Sequence, residues 1–171
     1  MMHRALIFGD DANVRRLLWT LFDRRGYEVF SYLHPGVCPL NAVEQCPCAA
    51  GAICSDVIVS DIQMQRVNGI DLVQYLIEKK CKRPHFAVIS QCWTEPDRKR
   101  AQQIGCKPFE KPLAILGLIE WLDQCEVTIS SDRALFDLVV SPDLRASRID
   151  AVLRNACERS QSATSRAREV V

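Results

Sequence analysis

The run Asp56-Val57-Ile58-Val59-Ser60-Asp61 sets three β-branched residues between two carboxylates, with no alternation of apolar and polar positions. A strand with one wet face alternates. One that does not is covered on both sides, which is the condition of a parallel sheet flanked by helices.

The rest of the chain supplies partners for such a strand. Arg4 to Phe8 is a short apolar run that ends at Gly9-Asp10-Asp11. Val14, Leu17, Leu18, Leu21 and Phe22 then follow the spacing of one helix face, and Gly26 closes that helix. Tyr27 to Phe30 reads as a second strand. A helix opening at Gly69 carries Ile70, Val73, Leu76 and Ile77 on one face. Phe86 to Ser90 reads as a strand, Glu95 to Ile104 as a polar helix, and Phe109 marks a short fifth strand. A last helix carries Leu113, Leu116, Ile119 and Leu122. Strands alternating with helices predict an α/β fold, a doubly wound five-stranded parallel sheet.

Such sheets bind ligands beyond the carboxyl ends of their strands. Asp10, Asp61 and Ser90 each end a predicted strand, and Lys111 follows the fifth. Carboxylates gathered at one edge repel each other, and a hard divalent cation relieves that repulsion. Mg²⁺ suits this role, since it prefers oxygen ligands and keeps several waters. One carboxylate can then attack phosphorus to form an acyl phosphate, with Lys111 supplying positive charge. Asp11, next to Asp10, is either a further acid of the site or the cap of the first helix.

In order and spacing, GDDANVRRLL, DVIVSDIQMQRVNGIDLV, VIS and FEKP resemble the receiver domain of two-component response regulators, of the chemotaxis-regulator kind. The resemblance covers residues 3–124 and implies a flavodoxin-like receiver fold. It also implies that Asp61 is the phosphoacceptor. Mg²⁺ would be held by the side chains of Asp10 and Asp61 and the backbone carbonyl of Gln63, with Asp11 as an outer helper. Ser90 would bind the phosphoryl group, and Lys111 would pair with it ahead of a cis peptide at Pro112. Phe109 would stand at the place of the family's rotating aromatic. The donor would be a histidine kinase or phosphotransfer protein. The output would be a surface of the family's fourth helix, fifth strand and fifth helix, meeting a downstream protein or a second copy of the chain. No separate enzymatic activity is implied beyond self-phosphorylation and slow loss of phosphate.

Three positions depart from the family pattern. Gly9 stands at the place of the first acid, Gln65 where proline is usual, and Gln91 where a small residue is usual. These departures motivate an alternative, a scaffold that works without phosphorylation. A second alternative rests on the nine cysteines. Cys38, Cys46, Cys48 and Cys54 crowd the segment where the family places its second helix, and Pro35, Pro39 and Pro47 disfavour a regular helix there. Four thiolates could hold Zn²⁺ or an iron–sulfur cluster and make the chain a metal or thiol sensor, but the paired C-x-x-C knuckle is missing, and the expectation is ordinary reduced thiols that bind no stoichiometric metal.

A formal net charge of +1 argues against a general nucleic-acid or membrane-surface binder. No apolar run reaches the ~18 residues of a membrane span. The first residues reach two acids too soon for a secretory signal, so the expected location is cytoplasmic. Residues 125–171 form a C-terminal extension, expected to be helical around Leu144 to Cys157 and disordered after Ser160. It is expected to serve packing or dimerisation, since it has no basic face and no helix-turn-helix signature.

Overall fold

The computed structural model describes residues 2–41, 46, 48, 51–65, 67–82, 85–136 and 138. Five strands, β1 (His3–Phe8), β2 (Tyr27–Tyr32), β3 (Val57–Asp61), β4 (His85–Ser90) and β5 (Lys107–Glu110), form one parallel sheet in the order β2-β1-β3-β4-β5. Four helices connect or flank them: α1 (Ala12–Arg24), α2 (Gly69–Glu78), α3 (Glu95–Gln103) and α4 (Ile115–Thr128).

The non-alternating run behaves as its composition demands. Val57 and Val59 face one layer with Ala5, Ile7, Ala87 and Ile89, against Leu18 and Phe22 of α1 and Leu118 and Leu122 of α4. Ile58 faces the other, with Leu6, Phe8 and Val88, against Ile70 and Val73 of α2. Every residue of β3 is buried. Each such aliphatic side chain withdrawn from water contributes about 1.5–3 kcal/mol.

The helices begin where side chains satisfy the free amides of the first turn. Asp11 caps α1, Asn68 caps α2 and Thr94 caps α3. The start of α4 has no side-chain cap, and its buried face is Leu118, Trp121, Leu122 and Cys125. The expected face through Leu116 is therefore rotated: Leu116 is 76% exposed. Leu118, Leu122 and Cys125, spaced by four and three positions, form the stripe that packs on the sheet.

Between β2 and β3 the described residues carry two short 3-10 turns, Pro35–Val37 and Pro39–Asn41. Each begins at a proline, whose fixed φ suits a first helical position but not a helix interior.

The helix α4 continues past residue 124, and the chain then returns along the amino end of the sheet. The Ile53 amide donates to the Ala134 carbonyl at 2.7 Å, and the Phe136 amide donates to the Ile53 carbonyl at 2.9 Å. The Arg133 guanidinium grips buried Asp56 with Nε and Nη2, the latter at 2.6 Å from Oδ2. The Arg4 amide adds a third bond to Asp56, at 2.7 Å. The helix expected at 144–157 and the disorder expected after 160 lie outside the described residues, as does Cys157. No helix among the described residues is long and apolar enough to cross a membrane.

Candidate functional site at the carboxyl edge of the sheet

Asp61 is the last residue of β3, and only 6% of its side chain is exposed. Lys111 follows β5, and its ammonium pairs with Asp61 Oδ2. The other oxygen, Oδ1, accepts the Gln63 amide at 3.2 Å. Both oxygens of the buried carboxylate are thus held in place, one by a cation and one by the loop that follows. The Lys111–Pro112 peptide is cis.

Gly69 makes this packing feasible. A Cβ built there would lie 2.3 Å from the Asp61 carbonyl oxygen and 2.9 Å from Ser60 Oγ, so the start of α2 rests directly on the acid's backbone. The loop between them closes on itself, with the Gly69 amide donating to the Ile62 carbonyl at 3.0 Å.

On the other side of Asp61 lies Gly9, where an added Cβ would come 3.4 Å from Asp61 Cβ. A side chain at position 9 would point into the pocket; glycine leaves that place without a carboxylate. Asp10 is partly exposed at the end of β1. Asp11 is committed locally, its Oδ1 accepting the amides of Asn13 at 2.9 Å and Val14 at 3.2 Å. The amides of Val14 and Asn13 hold its pKa below the usual carboxylate value, with help from Lys111 and Arg15. Arg15 is a pocket residue that the sequence reading missed. Its Nη1 donates to the Gly9 carbonyl at 2.5 Å. It sits one helical turn after Asp11, a spacing that could have flagged it.

Ser90 ends β4 and is fully buried. Its hydroxyl donates to the Cys92 carbonyl at 2.8 Å and accepts the Cys92 amide at 3.2 Å, so it is engaged with the loop after β4. Its carbonyl accepts the Lys111 amide at 2.8 Å, tying the ends of β4 and β5 together. Gln63, Gln65 and Gln91 are exposed. Phe109 is buried, edge-on to Trp121 of α4 with centroids 5.8 Å apart. Trp93, also unforeseen, donates its indole N–H to the Phe109 carbonyl at 2.8 Å and lies under the Arg98 guanidinium. The loop after β4 is thereby latched to β5.

Asp10, Asp61, Ser90 and Lys111 are therefore at one edge of the sheet, with a buried acid, a matched cation and a hydroxyl on the neighbouring strand. Oxygen donors at Asp10 and Asp61, with the carbonyl of Gln63 nearby in sequence, suit a hard cation such as Mg²⁺.

The cysteines group differently from the expectation. Among the described residues, Cys46, Cys48, Cys54 and Cys81 bring their sulfurs within 4.8 Å of one another. Cys81 takes the place expected for Cys38. Cys38 follows the first 3-10 turn and turns toward the Tyr32 hydroxyl, and burial pushes its thiol up to about 12.

No family model matches the chain. A probable transcriptional regulatory protein of Picosynechococcus sp. is 28% identical over 117 residues, which is 68% of this chain and 46% of the relative. The chain thus aligns with about half the length of that relative. Among solved structures, a response regulator receiver protein of Pseudomonas putida is 18% identical with a TM-score of 0.60, covering 72% of this chain and 98% of that one. The chemotaxis protein CheY4 of Vibrio cholerae is 19% identical with a TM-score of 0.56, covering 73% and 99%. The N-terminal domain of an uncharacterized protein of Wolinella succinogenes is 26% identical with a TM-score of 0.57, covering 73% and 94%.

Proposed function

We propose, from the flavodoxin-like receiver fold that this chain carries, that it is a phosphoacceptor in two-component signalling and that Asp61 takes the phosphoryl group. The observation that carries this reading is the buried Asp61–Lys111 pair at the carboxyl edge of the sheet, with Ser90 at the end of the adjacent strand. An Asp61 carboxylate oxygen attacks phosphorus, the donor's bond to phosphorus breaks, and the donor's leaving group keeps the electron pair. Asp10 and Asp61, with the Gln63 carbonyl, would hold Mg²⁺, which when bound supplies charge neutralisation for the transferring group. Lys111 leaves its carboxylate partner for the new phosphate, since its charge is the one already aimed at that position.

The acquired charge, about −1.5 to −2, competes with Cys92 for the Ser90 hydroxyl. Ser90 would then turn from the loop to the phosphate and draw the loop after it. Trp93 bonds the backbone of Phe109, so that movement would reach α3, β5 and α4, the counterparts here of the family's output surface. In this reading the donor is a histidine kinase or phosphotransfer protein, and the output is a downstream protein or a second copy of the chain in the cytoplasm. Residues after 124 serve packing or dimerisation.

The test is intact-mass analysis with a small acyl-phosphate donor and Mg²⁺. Wild type gains the mass of one phosphate, and Asp61→Asn gains none. An undiminished gain in that variant assigns the phosphate elsewhere.

A further inference from the structure

A second cluster of reactive side chains lies away from the Asp61 pocket, and neither phosphotransfer nor the receiver fold requires it. Cys46, Cys48 and Cys54 come from the segment between β2 and β3, and Cys81 comes from just beyond α2; all four are buried. The sulfur separations are 3.6 Å for Cys48–Cys54, 3.9 Å for Cys48–Cys81 and 3.5 Å for Cys54–Cys81. Four thiolates around one zinc at the usual Zn–S distance of about 2.3 Å form a tetrahedron whose edge is about 3.8 Å. All three spacings match that edge within a few tenths of an ångström. They are far longer than the ~2.05 Å of a disulfide. A cubane iron–sulfur cluster puts each thiolate on a different iron, which would spread the sulfurs well beyond a single tetrahedral edge.

The backbone around the thiols is arranged to hold them. At the end of α2 the Cys81 amide donates to the Leu76 carbonyl and the Lys80 amide to the Ile77 carbonyl, each at 3.0 Å. This is a Schellman close, with Lys80 in the left-handed conformation at φ 58° where glycine is usual. It turns the chain so that Cys81 meets the loop. The Cys46 amide donates to the Lys79 carbonyl at 3.3 Å, fastening the loop to the same helix end. The Cys54 amide points at Cys48 Sγ, 3.5 Å away, a bond that favours a thiolate.

We propose that Cys46, Cys48, Cys54 and Cys81 form a structural site for one tetrahedral zinc ion. The site ties Cys46, Cys48 and Cys54, ahead of β3, to Cys81 at the end of α2. Binding exchanges the remaining thiol protons for the metal. The ion stands in for the packing that a regular helix would give this part of the fold. It would order the segment leading into Asp61 without entering the phosphate pocket.

The full chain, purified under reducing conditions without added metal, should contain about one zinc per molecule by elemental analysis. After zinc removal, Co²⁺ should produce the intense visible bands of a tetrahedral thiolate site. Cys81→Ser should lose the bands, and Cys38→Ser should keep them. Because Cys81→Ser could unfold the region, the wild type supplies a second readout. Chelation should open Cys46, Cys48, Cys54 and Cys81 together to alkylation, mapped by peptide mass, while Cys38, Cys106 and Cys125 stay slow. The proposal is overturned by a chain that stays metal-free when zinc is supplied or by iron and sulfide in place of zinc. It is equally overturned by disulfides among these cysteines, or by a metal that depends on Cys38 and not on Cys81. Metal is counted here rather than phosphate, so the outcome is independent of the role of Asp61.

Discussion

Gly69 sits against the carbonyl oxygen of Asp61 so closely that a methyl group on its Cα would come 2.3 Å from that oxygen. The helix α2 and the strand β3 are therefore in backbone contact. Gly69→Ala should force them apart and lower stability by about 1–3 kcal/mol, as overpacking does. The midpoint of urea unfolding reads this directly, and an unshifted midpoint would show that the loop yields without cost.

Lys111 is the ammonium paired with Asp61. Lys111→Ala should still allow a phosphate on Asp61 but should break its link to the rest of the molecule. By intact mass the variant should carry phosphate, while by size-exclusion chromatography or partner binding it should respond less than wild type. Normal switching in the variant would remove Lys111 from the mechanism.

Asp56 and Arg133 are 2% and 4% exposed in their side chains and hold each other in two bonds. Removing one partner of a buried ion pair costs about 3–5 kcal/mol, because the other charge is left behind. Arg133→Ala should lower the unfolding midpoint by that order. Truncation after residue 140 should preserve the fold, whereas truncation after 125 should cause a loss at least as large. A stable 1–125 fragment would show that the returning segment is dispensable.

His85 has a pKa lowered chiefly by burial, with Asp56 opposing. The folded state thus binds fewer protons than the unfolded state just below the ordinary histidine value, near 6.5, and there stability rises with pH. The melting temperature should fall as pH drops below that value, and His85→Gln should flatten this part of the profile. A slope unchanged in the variant assigns it to other groups.

Thiol reactivity should follow burial. Cys106 and Cys125 are pushed up to about 12 by burial, and Cys92 is exposed. At pH 8 an alkylating reagent should modify Cys92 first and Cys106 and Cys125 slowly. Equal rates by peptide mapping would mean that the core opens readily.

The sequence disclosed those features that rest on local pattern. Val57 to Ser60 announced a strand buried on both faces, and Asp10, Asp61, Ser90 and Lys111 fell at the strand ends because a parallel sheet aligns all its carboxyl ends. Periodicity was less informative at the last helix. Leu113, Leu116, Ile119 and Leu122 suit one face, but of these only Leu122 is buried in the helix, beside Leu118, Trp121 and Cys125. Contacts made across long sequence separations were hidden. Cys81 joins Cys54 across 27 positions and Arg133 joins Asp56 across 77, and neither pairing has a local signature. Arg15 was missed for another reason: an arginine on a polar helix face usually lies in solvent, and only the backbone of Gly9 turns it inward.

The returning segment also decides how the domain would bear a mechanical load. Arg133, Leu135 and Phe136 grip the amino end of the sheet, a strand of five residues and about 16 Å from Asp61. Tension applied through residues beyond 138 would be taken first by buried Leu138 and the Arg4 bond to the Phe136 carbonyl, and then by the bonds to Ile53 and the Arg133–Asp56 pair. The carboxyl edge around Asp61 would feel it only after those had parted. The molecule is held by its heel, and a tether attached at that point would leave the acidic pocket unobstructed.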